Sequence, residues 1–299
     1  MVNQIEEYEE RKRLRRSRFR WRLLAVLALV AVAVLALSRV MPGPGPHVAR
    51  FDVAGVIVSD LDRTKLLNRL AEDDTVEALL VHIDSPGGTV TGSEQLYEGL
   101  RDVAAKKPVI ATMGDVAASG GYIAALAADR ILAMGNSITG SVGVIFQAPN
   151  VHELMDRIGV EMVEVKSGDL KAEPNPFEPI GPEAIEAERI LVEDSFDWFK
   201  NLVRERREIG DNAMAEIERG GVYTGRMALD RGLIDGIGGL DEARDWLAAE
   251  HDVSADLDLV PYAVEEEGGF PFDLLLGEGR EDVLAMGRRV KAGLWAIWR

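Results

Sequence analysis

Residues 76–88 of this chain read VEALLVHIDSPGG, and this stretch decides the class of fold. Its first eight residues are almost continuously apolar, which is typical of a strand that is covered on both faces in a parallel sheet. We predict a strand over residues 76–83 and a turn over residues 84–88. The glycine N–H groups of that turn then lie at the carboxyl end of the sheet, where open α/β folds bind their ligands.

Short β-branched runs and longer helical patterns alternate on both sides of this stretch. This βαβαβ rhythm predicts an α/β fold with a largely parallel sheet. The predicted strands are at residues 48–58, 76–83, 108–113, 130–133 and 142–146. The predicted helices are at 63–71, 93–105 and 182–207, with a last one that begins at the N-cap Asp241. The apolar face of the helix at 182–207 carries Ile185, Val192, Phe196, Phe199 and Val203.

An apolar run near the N-terminus predicts a membrane anchor. Residues 23–37 contain no polar side chain, and residues 1–22 carry eight basic and four acidic residues. Because fifteen helical residues span only about 23 Å of a hydrocarbon core of about 30 Å, we extend the transmembrane anchor over residues 23–40. The positive-inside rule keeps the basic segment, residues 1–22, in the cytoplasm and places the remainder outside it. A cleaved signal peptide and a buried core helix are the alternatives.

The rest of the chain divides into three further parts. Alternating Pro and Gly predict a linker at residues 41–46, and the folded domain then covers residues 47–262. Residues 263–299 form an amphipathic C-terminal segment that could dock on its own domain, on a neighbouring molecule or on a membrane surface. The net charge of −17 disfavours nucleic acid as a partner, and the absence of cysteine excludes disulfides and a cysteine nucleophile.

The sequence VAASGGYIAALA, residues 116–127, places Ser119 between small residues at a strand-to-helix junction. Small neighbours allow a substrate backbone to approach closely, and the backbone N–H of Gly120 is placed to help hold an oxyanion. The glycines of the turn at 84–88 lie at the same edge of the sheet, so Gly88 is a second candidate donor. The alternative is that Ser119 only caps the following helix.

The general base for Ser119 is less clear from the residues alone. His152 is the one histidine with a serious claim, because His82 fits a strand of the core and His47 and His251 lie at segment edges. Arginine cannot lose its proton in a protein, so the other candidates are lysines. Lys166 and Lys171 are the lysines that do not fit a solvated helix face, a helix end or a tail. A solvated loop lysine is the alternative for Lys171.

Four motifs together resemble one family. DSPGG, AASGGYIAALAADRI, TGSVGVI and GDLKAEPNPFEP occur in this order, and GRMALDRGLIDGIGGLDEA follows. They resemble the bacterial signal peptide peptidase A (protease IV) family of serine proteases, in its short single-domain form. The resemblance implies a ClpP/crotonase-like α/β spiral fold and homo-oligomers with catalytic sites near the subunit boundaries. It implies that Ser119 is the nucleophile, Lys171 the general base, Ser141 the residue that orients the lysine and Gly88 an oxyanion donor, whereas Lys166 lies outside the motif.

The implied activity is a membrane-anchored serine endopeptidase with a Ser/Lys dyad, which needs no metal or cofactor. Its expected substrates are cleaved signal peptides and other membrane-proximal peptides. Its expected location is the cytoplasmic (inner) membrane, as a single-pass protein whose catalytic domain faces outward. A crotonase-like acyl-CoA enzyme is the first rival, since that fold also binds an oxyanion with two backbone N–H groups. A non-enzymatic membrane scaffold of the same fold is the second.

Overall fold

The computed structural model describes residues 45–264 and, before them, positions 21, 22, 25, 26 and 29. The chain separates into two units, Met1–His47 and Val48–Arg299. In the first unit, the five described positions before residue 45 are helical and exposed, and the rest of the predicted anchor at 23–40 lies outside the described residues. Within the part of the chain that the structure describes, no helix has both the length and the apolar character that a membrane crossing needs. Nearly all of the predicted C-terminal segment, from residue 265 onward, also lies outside the description.

The described residues form a sheet with the strand order β6-β5-β3-β2-β1-β8, in which β4 pairs with β3 and β7 pairs with β4. The strands are β1 (His47–Ile57), β2 (Val76–Gly88), β3 (Val109–Ala118), β4 (Arg130–Ala133), β5 (Ile138–Gly140), β6 (Val222–Thr224), β7 (Gly236–Ile237) and β8 (Leu259–Tyr262). The pairings of β3 with β2, β4 and β5 are parallel, and β5 with β6 is antiparallel. This mixed, largely parallel sheet confirms the predicted α/β class.

Helices connect and cover the strands. They are α1 (Leu61–Glu72), α2 (Val90–Ala104), α3 (Gly120–Leu126), α4 (His152–Ile158), α5 (Pro182–Arg206), α6 (Asp211–Ile217), α7 (Gly225–Asp230) and α8 (Leu240–His251). The predicted helices at 63–71, 93–105 and 182–207 correspond to α1, α2 and α5. The last helix begins one residue before Asp241, and its N-cap is Gly239, whose backbone N–H donates to Glu242 at 2.8 Å. Asp241 therefore lies in the first turn, and its prediction as the cap was wrong.

Alternate strand residues pack on opposite faces of the sheet. Ala49, Phe51 and Val53 of β1 belong to the large core cluster, which contains buried residues of α1, α2, α3 and α5. Val48 belongs to a smaller cluster on the other face, with Ala243 and Leu247 of α8. This period-2 alternation is the expected result of a strand that is covered on both sides.

Two local predictions about strands were wrong. The turn expected at residues 84–88 is extended and belongs to β2, with a shift of register after Ile83. The buried Ser85 accounts for this, because its Oγ donates to the Gly55 carbonyl at 2.6 Å and accepts from the Gly87 N–H at 3.1 Å. Residues 142–146 form no strand, and the strand lies earlier, in β5. Of the predicted apolar face of α5, Phe199 and Val203 are buried, while Ile185 is exposed.

Candidate active site

Ser119 connects β3 to α3 in a backbone conformation that is unusual for a serine. Its φ and ψ are 52° and −118°. This conformation mirrors a region that L residues favour, and only glycine adopts it without steric cost. The Ser119 N–H donates to the Gly140 carbonyl at 2.9 Å, and the Ser119 carbonyl accepts from the Ile123 N–H at 3.0 Å. These two hydrogen bonds hold the backbone of Ser119 in place.

The conformation of Ser119 separates the two roles that its position allows. The residue occupies the N-cap position of α3, but in the described residues its side chain makes no capping hydrogen bond. Thr89 at the start of α2 shows the contrast, because its Oγ1 accepts from the Gly92 N–H at 3.1 Å. The Ser119 side chain therefore adds no capping stabilisation to α3, and strain of this kind clusters at functional sites.

The backbones of three glycines converge on Ser119. A Cβ atom added at Gly87 would lie 2.8 Å from the Gly120 nitrogen and 3.0 Å from the Ser119 Cβ. One added at Gly120 would lie 3.1 Å from the Gly88 nitrogen, and one at Gly88 would lie 1.8 Å from the Ile57 carbonyl oxygen. Side chains at these positions would therefore collide with the backbone. The nitrogens of Gly88 and Gly120 lie close to each other beside the serine, as two donors to one oxyanion must.

Ser119, Gly88, Gly120 and Ser141 all line one cavity of about 530 Å³. The rest of its wall is mixed in character, and its apolar side chains include Ile123, Val144, Ile145, Phe196 and Phe199. Glu218, Arg219 and Gly220 form a polar part of the lining. A cleft of this size, with polar groups beside apolar side chains, is suited to bind a peptide through both its backbone and its apolar side chains.

Ser141 enters the cavity from the end of β5. Its φ of 54° is again positive, and its N–H donates to the Gly221 carbonyl at 2.8 Å. Val142, which follows it, is completely buried. This bond holds the end of β5 next to residues 219–221, beside Ser119. After Ser141 the chain leaves the sheet.

Tyr122 holds α3 in place through a buried hydrogen bond. Its hydroxyl is buried and donates to the Leu233 carbonyl at 2.8 Å. Burial raises the pKa of the Tyr122 hydroxyl, so this group stays a neutral donor. Gly121 packs against the Ser85 carbonyl, at 2.7 Å from an added Cβ, so α3 and β2 approach each other too closely for a larger residue.

The structure brings none of the three candidate bases, His152, Lys166 and Lys171, to this cavity within one copy of the chain. Lys171 is exposed and does not line the cavity, and its N–H forms a turn with the Gly168 carbonyl at 3.0 Å. His152 begins α4, where its Nε2 lies 3.6 Å from Asp156, and it does not line the cavity either. Both residues lie on the segment 144–180, which has little buried surface of its own. Its helix α4 has no buried residue, and Val163 and Val165 are 81% and 95% exposed.

The sequence did not predict several residues of the site. The buried Ser93 of α2 lies against Gly120, whose added Cβ would be 2.2 Å from the Ser93 Oγ. Residues 218–220 line the cavity because β6 pairs with β5, and no local sequence pattern predicts this long-range contact. Across the described residues there is no group of three or more His, Asp and Glu side chains placed to hold a metal ion.

Known proteins resemble this chain, and the family match includes Ser119, Gly120 and Ser141. Residues 101–254 match the model of peptidase family S49. "Putative protease slr0021" of Synechocystis sp. is 35% identical over 202 residues, which cover 67% of this chain and 73% of that protein. "Serine protease SPPA, chloroplastic" of Arabidopsis thaliana is 35% identical over 181 residues, which cover 59% of this chain and 26% of that protein.

Among solved structures, a mutant of the 1510-N membrane-bound stomatin-specific protease matches with a TM-score of 0.47 and 17% identity. The match covers 74% of this chain and 99% of that one. So distant a likeness supports no conclusion, and the finer assignment to a ClpP/crotonase-like spiral stays a prediction. The family match and the sequence relatives are sufficient by themselves: the chain belongs to peptidase family S49, the signal peptide peptidase A (protease IV) family, in its short single-domain form.

Proposed function

We propose that this chain is a serine endopeptidase and that Ser119 is its nucleophile. The single observation that carries the proposal is the strained Ser119, which does not cap its helix and faces a cavity beside two glycine nitrogens. In the proposed reaction the Ser119 hydroxyl loses its proton to a base, and its oxygen attacks a peptide carbonyl. The N–H groups of Gly88 and Gly120 bind the resulting oxyanion. The amine leaves with a proton, and water then hydrolyses the acyl-enzyme.

The proposed base is Lys171, which a neighbouring copy of the chain supplies. Three features support this arrangement. Lys171 does not reach the cavity of its own copy, and the segment that carries Lys171 is exposed. Several of the exposed side chains of this segment are large and apolar. Exposed apolar surface of this extent is typical of a protein interface. Ser141 lines the cavity near Ser119 and is the proposed residue that orients the lysine. The active enzyme is therefore a homo-oligomer in which each site uses two copies.

The proposed substrates are signal peptides that remain after secretion and other peptides close to the membrane. The apolar side chains in the cavity wall, among them Ile123, Val144 and Phe199, support this class, because the core of a signal peptide is a run of apolar residues. The proposed location follows from the basic residues 1–22 and the apolar run after them, which anchor the domain on the outer side of the cytoplasmic membrane.

A fluorophosphonate label tests the nucleophile. The wild-type chain should be labelled and should cleave an apolar reporter peptide, while Ser119→Ala should do neither and should keep its fold. Ser254→Ala is the matched control, because Ser254 is exposed and does not line the cavity. Labelling that persists in Ser119→Ala would reject the proposal, as would an unlabelled wild type. A crotonase-like acyl-CoA enzyme or a scaffold would not show Ser119-dependent peptidase activity.

Complementation between copies tests the shared site. Ser119→Ala and Lys171→Ala should each be inactive alone. Co-expressed in equal amounts, they should recover about a quarter of the wild-type activity, since one site in four then combines an intact serine with an intact lysine from its neighbour. A dyad within one copy would give no recovery at all.

A further inference from the structure

Lys166 lies in the centre of a group of carboxylates. Its ammonium forms an ion pair with Glu173, and it lies 3.2 Å from Glu164 and 3.5 Å from Glu178. The Lys166 side chain is only 15% exposed although the segment around it is open to solvent. Hydrogen bonding to Glu173 raises the pKa of Lys166, and the same bond lowers the pKa of Glu173. Lys166 is thus a charged cross-link and not a free surface lysine.

Asn175 joins the same carboxylates through its backbone and its side chain. Its N–H donates to Glu173 Oε2 at 2.9 Å, and its Nδ2 donates to Glu164 Oε2 at 2.6 Å. Its Oδ1 accepts from the Phe177 N–H at 3.0 Å. Asn175 is buried, unlike most of this segment. Lys166 and Asn175 therefore connect residues 164, 173 and 178 into one unit of hydrogen bonds and ion pairs.

Lys171 lies in the loop that this unit closes. The pair between Lys166 and Glu173 joins the two ends of residues 167–172, all of which are exposed. Inside the loop, the Glu173 N–H donates to the Leu170 carbonyl at 3.4 Å, and Ala172 has a positive φ of 64°. Since burial contributes little here, the position of Lys171 depends on the polar contacts at the base of its loop.

We propose that Lys166 is a positioning residue, whose ammonium holds Glu164, Glu173 and Glu178 together and thereby sets the loop that presents Lys171 to the serine of a neighbouring copy. This inference rests on the proposed function of Lys171. Without the ammonium, three carboxylates would face one another with no cation between them, and their repulsion would open the loop. A base that is displaced by about 1 Å costs roughly 100-fold in rate, so a small opening is sufficient.

The experiment replaces Lys166 in the full oligomeric chain. Lys166→Met removes the charge and keeps much of the side-chain length, and Lys166→Arg restores a cation that can bind carboxylates. We expect Lys166→Met to lower kcat by about 10-fold or more with little change in KM, and Lys166→Arg to recover most of the loss. Lys65→Met is the matched control, because Lys65 pairs with Asp62 at 2.7 Å on α1 and should be neutral.

A double-mutant cycle separates positioning from a general structural effect. In a Lys171→Ala background, Lys166→Met should cause no further loss in the slow phosphonylation of Ser119, because there is no base left to position. An equal loss in both backgrounds, or dissociation of the oligomer by Lys166→Met, would overturn the proposal. So would a Lys166→Met chain as active as the wild type while Lys171→Ala is inactive. If Lys171→Ala itself stays active, the proposed base is wrong and the proposed function fails separately.

Discussion

Replacing Ser119 by glycine should stabilise the protein while it removes the nucleophile. The backbone of Ser119, with φ 52° and ψ −118°, suits glycine and is strained for any residue that carries a Cβ. Strain of this kind costs about 1–3 kcal/mol, and glycine relieves it. The greater freedom of glycine in the unfolded chain lowers the stability by about 0.4–1 kcal/mol. The expected net gain in the free energy of unfolding is about 1 kcal/mol.

Ser119→Ala is the reference for this measurement, because alanine also lacks the hydroxyl but keeps the Cβ. Its difference from Ser119→Gly therefore reports the backbone strain minus the entropic cost of glycine. In a domain of this size, 1 kcal/mol corresponds to about 2–4 °C in the melting temperature. Both variants should be compared by calorimetry at one protein concentration, since assembly makes stability depend on concentration.

A helical serine provides the opposite control. Ser93 lies inside α2, so Ser93→Gly should lower stability by about 1 kcal/mol, as glycine does within helices. If Ser119→Gly proved no more stable than Ser119→Ala, the backbone at Ser119 would not be strained. The main structural reason for regarding Ser119 as a nucleophile would then be lost.

Four further results are expected. Lys171→Ala and Lys171→Arg should both be labelled by fluorophosphonate about 100-fold or more slowly than the wild type, because neither alanine nor the charged arginine can accept the serine proton; labelling of the arginine variant at the wild-type rate would exclude Lys171 as the base. Gly88→Ala should lower kcat by about 100-fold or more, since its Cβ would meet Ile57 and displace an oxyanion donor, whereas Gly181→Ala, with open space around it, should be active. Tyr122→Phe should lower the free energy of unfolding in urea by about 1–3 kcal/mol, because the buried Leu233 carbonyl loses its donor; a smaller change would mean that water replaces it. A reporter fused after Arg299 should be active only outside the cytoplasm, and activity inside would reverse the proposed topology.

The fold was predictable where burial on both faces of the sheet dictates composition. Residues 76–83 are apolar because β2 lies inside the sheet, and their strand was found for that reason. Local patterns failed where distant contacts decide the structure. Asp84 to Gly88 have the composition of a turn, but the bond from Ser85 to Gly55, thirty residues away, holds them in an extended strand. No window of local sequence contains that information.

The site shows the same division. The small residues around Ser119 predicted a close approach of the backbone, and the structure places Gly87, Gly88 and Gly120 next to Ser119. The family resemblance, and not the local pattern, selected Lys171 over His152. Residues 218–220 and Ser93 carry no such mark, because antiparallel pairing of β5 with β6 and packing of α2 on α3 bring them to the cavity.

The segment 144–180 and the cavity of Ser119 each lack something that contact with a second copy of the chain would supply. A helix of seven residues such as α4 is marginal in water, and α4 has no buried residue to compensate, while Leu154 and Ile158 are exposed. Among the residues that the structure describes, no lysine or histidine lines the cavity of Ser119. Contact with another copy would cover the apolar side chains of the segment and would bring Lys171 to a serine in the same step. Folding of the segment, assembly and activity should therefore depend on protein concentration together, and a dilution series that separates activity from oligomer content would refute this coupling.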